Sequence, residues 1–214
     1  MLAEWSAECA ADDPVLVVPW SDPADLTRRF IDLRENPYDL DDVSEAADHP
    51  ALLHALRALN APRSPVFTAK CDVWPLGPDE LTQVQLLLDH PAHEAPAGFA
   101  SYLDLLWRDR SLFASFHRQG QLLDRFTRLA APLHYPYALA EYVIRPALLD
   151  LDGPQEGFAI SLYIKALAHD PHAAEENWAA ALAAIVALIR SRDPQGGSAT
   201  IYKSPPRRAS SSIG

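Results

Sequence analysis

The segment 157-GFAISLYIKALAHD-170 places Phe158, Ile160, Leu162, Ile164 and Ala166 at every second position, with Ser161, Tyr163, Lys165 and His169 among the residues between them. A period of two marks a β-strand with one buried face, because successive side chains of a strand point to opposite sides. The same parity recurs in 139-LAEYVIRPALLD-150, where Ala140, Tyr142, Ile144 and Leu148 oppose Glu141, Val143 and Arg145. It recurs again in 66-VFTAKCDVW-74, where Phe67, Ala69, Cys71 and Val73 oppose Thr68, Lys70, Asp72 and Trp74. Three strands that each carry one apolar and one mixed-charge face predict an α+β fold, a two-layer sandwich of a mainly antiparallel sheet with helices packed on one face.

Helical periodicity supplies the second layer. Residues 50–60 and 78–89 read as amphipathic helices, the second with proline and two acids in its first turn. In 171–192, Trp178, Leu182, Ile185 and Ile189 form one stripe, with Asp170 as cap and Pro171 as first residue. Apolar spacing predicts a further long helical region from Phe99 to about Leu129, and Asp22-Pro23 predicts a helix start at the segment that follows the short buried strand 15–20. The segment 36–50 reads as a loop with one helical turn, 151–156 as a hairpin connection, and 199–203 as a last strand. With 19 prolines against 8 glycines, segment ends are set mainly by proline. No Gly- or Ser-rich linker divides the chain, which predicts one domain over 1–203 and a polar flexible tail over 204–214.

Charge and cysteine content narrow the function classes. The net charge is −11, from 29 acidic and 18 basic side chains, and such a field repels a phosphate backbone, so nucleic acid is not an expected partner. Two cysteines, Cys9 and Cys71, cannot build a disulfide framework or a cysteine-type zinc site. The opening MLAEWSAECAADD lacks the basic and apolar regions of a secretory signal, and no apolar run reaches the length of a membrane span, so the expected location is cytoplasmic with no membrane partner.

The mixed-charge side of the sheet is the candidate site. Lys70, Asp72, Trp74, Glu141, Arg145, Tyr163 and Lys165 share it by parity. Alternation alone accounts for such a solvated face, and exposed pairs such as Lys70 or Lys165 with Glu141, or Asp72 with Arg145, would contribute only about 0–1 kcal/mol each. Aromatic side chains among the charges also suit the floor of a ligand site. The expected function is a non-enzymatic binding or protein-interaction module, its partner a small anionic or mixed-charge ligand or another protein. The alternative is an acid–base hydrolase using Glu141, Asp72, His169 and His172.

Other motifs carry less. No nucleophile elbow, Gly-rich phosphate loop or dinucleotide fingerprint is present, and no cofactor is expected. His90, His93 and Glu94 follow the order H-x-x-H-E, which is not a helical zinc pattern. His169, His172 and Glu176 would suit a transition metal, but a helix start explains the acids and the proline there, so no metal is expected. Cys71 lies on the apolar side of its strand, as an inert small hydrophobe would. Arg207 to Ser210 matches a basophilic kinase pattern in the polar tail, where chance matches are common.

Overall fold

The computed structural model describes residues 1–25, 28–91 and 93–191. The hairpin read from alternation is its centre: β5 (Ala138–Asp150) and β6 (Pro154–Ala168) pair antiparallel along their whole lengths, from Ala138 opposite Ala166 to Asp150 opposite Pro154. The turn between them needs a residue at positive φ, and Gly153 supplies it at φ 96°. On one side β6 pairs with β4 (Ala97–Trp107), and β4 with β3 (Val66–Pro75), both antiparallel. On the other side β5 takes two short strands in tandem, β1 (Leu2–Ala7) and β2 (Leu16–Val18), both parallel to it. The result is a mostly antiparallel, mixed sheet of six strands in the order β1-β5-β6-β4-β3, with β2 beside the far half of β5.

Six helices accompany the sheet among the described residues: α1 (Ser44–Ala47), α2 (Pro50–Asn60), α3 (Pro78–Leu87), α4 (Arg110–Phe113), α5 (Phe116–Ala130) and α6 (Pro171–Arg190). A 3-10 turn over Pro37–Asp42 precedes α1. The stripe Trp178, Leu182, Ile185 and Ile189 buries α6 against the sheet, where Trp178 Nε1 donates to Ser101 Oγ at 2.8 Å. Ser101 stands in register with Val73 and Ile164, and Ile164 with Ala140, so this is the apolar side anticipated from parity. Ile144, Leu162 and Ile164 are buried there without exposed surface. The other side carries the row Asp72, Tyr102, Tyr163, Glu141 and Glu4, one residue from each of five strands. At one end of that side Val84 of α3 packs on Leu167 with Ala95, Leu76 and Leu81. No helix among the described residues is long and apolar enough to cross a membrane.

Two expectations need correction. The region 97–107 is strand β4, not the first third of a long helix; helix occupies only 110–113 and 116–130. An interior strand covered on both sides has apolar residues at both parities, and the run Phe99 to Trp107 mimics helical spacing for that reason. The described residues after Ser21, 22–25 and 28–30, are not helical: Ser21 forms an isolated bridge with Arg29, and Asp22 Oδ1 accepts the amide of Ala24 in a turn. A side-chain-capped turn competes with helix initiation at the same Asp-Pro signal. Residues 2–7, left unassigned from sequence, form an edge strand. The strand expected at 199–203, the tail 204–214 and the helix end beyond Ser191 lie outside the described residues.

Candidate functional site

Strand β3 starts in one register and ends in another. Thr68 pairs with Leu105 and Lys70 with Asp104, so Ala69 is a bulge residue with no partner of its own. Upstream of it the parity read from sequence is reversed. Thr68 faces α2, where its Oγ1 accepts from Asn60 Nδ2 at 2.7 Å and its amide donates to Asn60 Oδ1 at 3.0 Å. Phe67 turns to the charged side, beneath the guanidinium of Arg34. Downstream, Lys70, Asp72 and Trp74 keep the predicted side.

The bulge also frees a carbonyl at the sheet edge. Trp20 Nε1 donates to Ala69 O at 2.8 Å, which lays the indole beside the strand, and Lys70 Nζ sits 4.8 Å from the centre of that ring. Between this edge and the segments 20–23, 28–33 and 42–45 opens a cleft of about 530 Å³. Its floor includes Lys70, Cys71 and Tyr102, and Arg28, Arg29, Asp22, Asp42 and Glu45 also line it. Both signs of charge and two amphipathic aromatics therefore meet in one concavity of ligand-sized volume. Lys70 has no carboxylate within ion-pair distance among the described residues.

The seven residues singled out from sequence all lie on the charged side, but their neighbours divide them. Lys165 Nζ is 2.6 Å from Glu141 Oε2, the one expected cross-strand pair that the strand order allows. Lys70 with Glu141 and Asp72 with Arg145 cannot pair, because β4 and β6 stand between β3 and β5. Arg145 instead meets Glu8 at 2.8 Å and donates to Tyr163 Oη at 3.3 Å. Asp72 Oδ1 accepts the amide of Val73, and Trp74 Nε1 donates to Glu80 at 3.1 Å. The β5–β6 half is thus internally paired, whereas Lys70 is left with a ring and a cleft.

Sequence reasoning passed over the centre of this side because it lies on the misread β4. Asp104 is 8% exposed and accepts a 2.5 Å hydrogen bond from Ser161 Oγ. Burial raises its pKa, against the lowering effects of the Ser161 bond and of the Lys70 and Arg145 charges. Burial, and then the Asp104 charge, also raise the pKa of the Tyr102 phenol. Polar residues at 102 and 104 between Phe99, Leu103 and Leu105 were the signal that could have exposed them. Cys71, mostly buried beside the cleft floor, has its thiol pushed up to about 12 by burial and neighbouring acids, which keeps it protonated and unreactive.

The histidines are elsewhere. His169 meets Asp170 at 2.9 Å and His172 meets Glu176 at 3.5 Å, both on the exposed start of α6. Asp170 there accepts the amide of Ala173 as N-cap, which holds its carboxyl below the usual range. His90 stacks on Tyr137 and His93 lies 3.9 Å from Glu94. Asp72 and Glu141 occupy one row but are three strand spacings apart, about 14 Å. Two-carboxylate hydrolysis needs about 5–9.5 Å. The geometry does not bring Glu141, Asp72, His169 and His172 to a common point. Among the described residues no group of three His, Cys, Asp or Glu side chains is arranged to hold a metal ion. No protein-family model, curated protein or solved structure matches the chain.

Proposed function

We propose that the protein is a non-enzymatic binding module whose cleft at the β3 edge takes a small mixed-charge ligand. The observation that carries this reading is the state of Lys70: an ammonium group on the floor of a 530 Å³ cleft, with an aromatic ring beside it and no acid partner among the described residues. Lys70 acts on Asp104 through its charge without an ion-pair contact, which leaves its N–H donors for a ligand anion, whereas Lys165 and Arg145 already hold Glu141 and Glu8. Asp22, Asp42 and Glu45 across the cleft suit a cationic group on the same ligand. We read the architecture as two main layers, with α2, α5 and α6 forming the helical one and the β3 edge of the charged side left as the working surface. Two free cysteines suit a reducing compartment such as the cytoplasm.

The test is NMR titration of the chain with free amino acids and short dicarboxylates. Saturable shifts should appear at the Trp20 indole and around Lys70 and Tyr102. Lys70→Met should weaken binding about tenfold or more, the loss expected for one charge-assisted hydrogen bond. Shifts confined to the Glu141–Lys165 half, or an unchanged affinity in Lys70→Met, would move the function to the paired surface and favour a protein partner there.

A further inference from the structure

A second cavity, of about 190 Å³, lies where β3 begins and β4 ends, between α4 and the tip of the β5–β6 hairpin, and it shares no lining residue with the cleft. It is below the roughly 300–1,000 Å³ typical of larger ligand sites. Three guanidinium groups line it, Arg34, Arg108 and Arg110, against a single carboxylate, Asp152.

The three arginines are held differently. Arg34 is forked onto Asp32 through Nε at 2.8 Å and Nη2 at 2.6 Å, and lies 4.5 Å over the Phe67 ring. Arg108 donates from Nη2 to Asn60 O at 2.9 Å and from Nε to Val66 O at 3.3 Å, and stands 5.9 Å from the same ring. Phe67 therefore gathers two like charges at one platform, and burial together with the Arg34 charge lowers the pKa of Arg108. Arg110 has no acid partner among the described residues. Trp107 also lines the cavity, is only 4% exposed with its ring 6.5 Å from that of Phe126, and its indole N–H has no acceptor among the described residues. Buried donors are normally satisfied, and clustered cations normally have a counter-charge. Here Trp107 Nε1 has no partner among the described residues, and three guanidinium groups share two carboxylates, Asp32 on Arg34 and Asp152 in the lining.

We propose that this cavity is a second binding site, specific for a small oxyanion, the phosphate or carboxylate group of a ligand, clamped by Arg108 and Arg110 with Trp107 in its wall. Guanidinium forks match the paired oxygens of either group, and Asp152 at the rim limits the site to small anions by repelling larger acidic ones.

The experiment titrates the full chain with inorganic phosphate and, separately, with acetate at constant ionic strength, following the Trp107 indole N–H resonance assigned with Trp107→Phe. At least one anion should move that resonance saturably, and the one that saturates at lower concentration identifies the class. Arg110→Gln, a substitution at an exposed side chain with no ion-pair partner among the described residues, should weaken the binding about tenfold, and Arg110→Lys should recover part of it. Chloride at the same ionic strength should leave the resonance in place. An indole resonance that neither phosphate nor acetate moves, or a titration unchanged in Arg110→Gln, would overturn the proposal.

Discussion

Asp104 is a carboxyl group with almost no water around it and a hydroxyl donor at 2.5 Å. In the unfolded chain it ionises near 3.9, as an ordinary aspartate does. In the folded chain burial raises that value. Between the two, the folded state holds a proton that the unfolded state has released, so stability falls as pH rises through the interval and the penalty is complete above the raised value. Asp104→Asn keeps an acceptor for Ser161 and removes the titration. Its urea-unfolding stability, followed from about pH 4 to about pH 8, should lack the part of the downward slope that Asp104 contributes to the parent chain. Equal slopes for parent and variant would mean that Asp104 is ionised throughout, held so by Lys70 and Arg145.

Helix α4 meets the hairpin at Gly157, and the fit there is tight. A Cβ on Gly157 would stand 2.5 Å from Phe113 Cε1 and 2.6 Å from the Phe113 carbonyl, so α4 itself would have to move. Gly98 is also tight, but its nearest neighbour is the flexible end of Leu76, at 2.5 Å. Gly157→Ala should therefore cost about 1–3 kcal/mol and Gly98→Ala clearly less, by denaturant unfolding. Equal costs would show that α4 is only loosely seated. The same elements explain what could be read from sequence. The hairpin β5–β6 and the stripe of α6 announce themselves because each has one wet side, and a wet side is what makes a period visible. Strand β4 is covered on both sides and its period disappears, which took Tyr102 and Asp104 out of the candidate site. Lys70, Asp72 and Trp74 were placed correctly because they follow the bulge at Ala69; Phe67 and Thr68 were not, because one extra residue reverses parity and nothing in VFTAKC marks it.

Across the whole molecule, one edge of the sheet is closed by the two short strands on β5. Trp5 fixes the first of them: its ring lies against Gly120, at 3.2 Å from the place a Cβ would occupy, and its Nε1 donates to Asp124 at 2.7 Å. Deleting residues 2–7 would bare the half of β5 from Leu139 to Ile144 and leave its backbone groups open to another chain. The deletion should raise concentration-dependent association, measured by light scattering, above that of the intact chain. Unchanged scattering and unchanged stability would show the strand to be dispensable.

The tandem docking of β1 and β2 has a consequence for how the chain is made. Leu2 pairs with Leu139 and Leu16 with Ala147, well over a hundred residues later, and β4 has only β3 beside it until β6 appears. A ribosome releases these two edge strands well before their partner. Contacts of such separation are slow to form, and every nascent chain passes through a long interval with its earliest strands unmatched. A product stopped before Ala138 would have neither the strand that receives its beginning nor the one that completes its middle. Such a product is a substrate for proteases and holding chaperones rather than a smaller working protein, and an engineered split between β4 and β5 should give two pieces that fold only together.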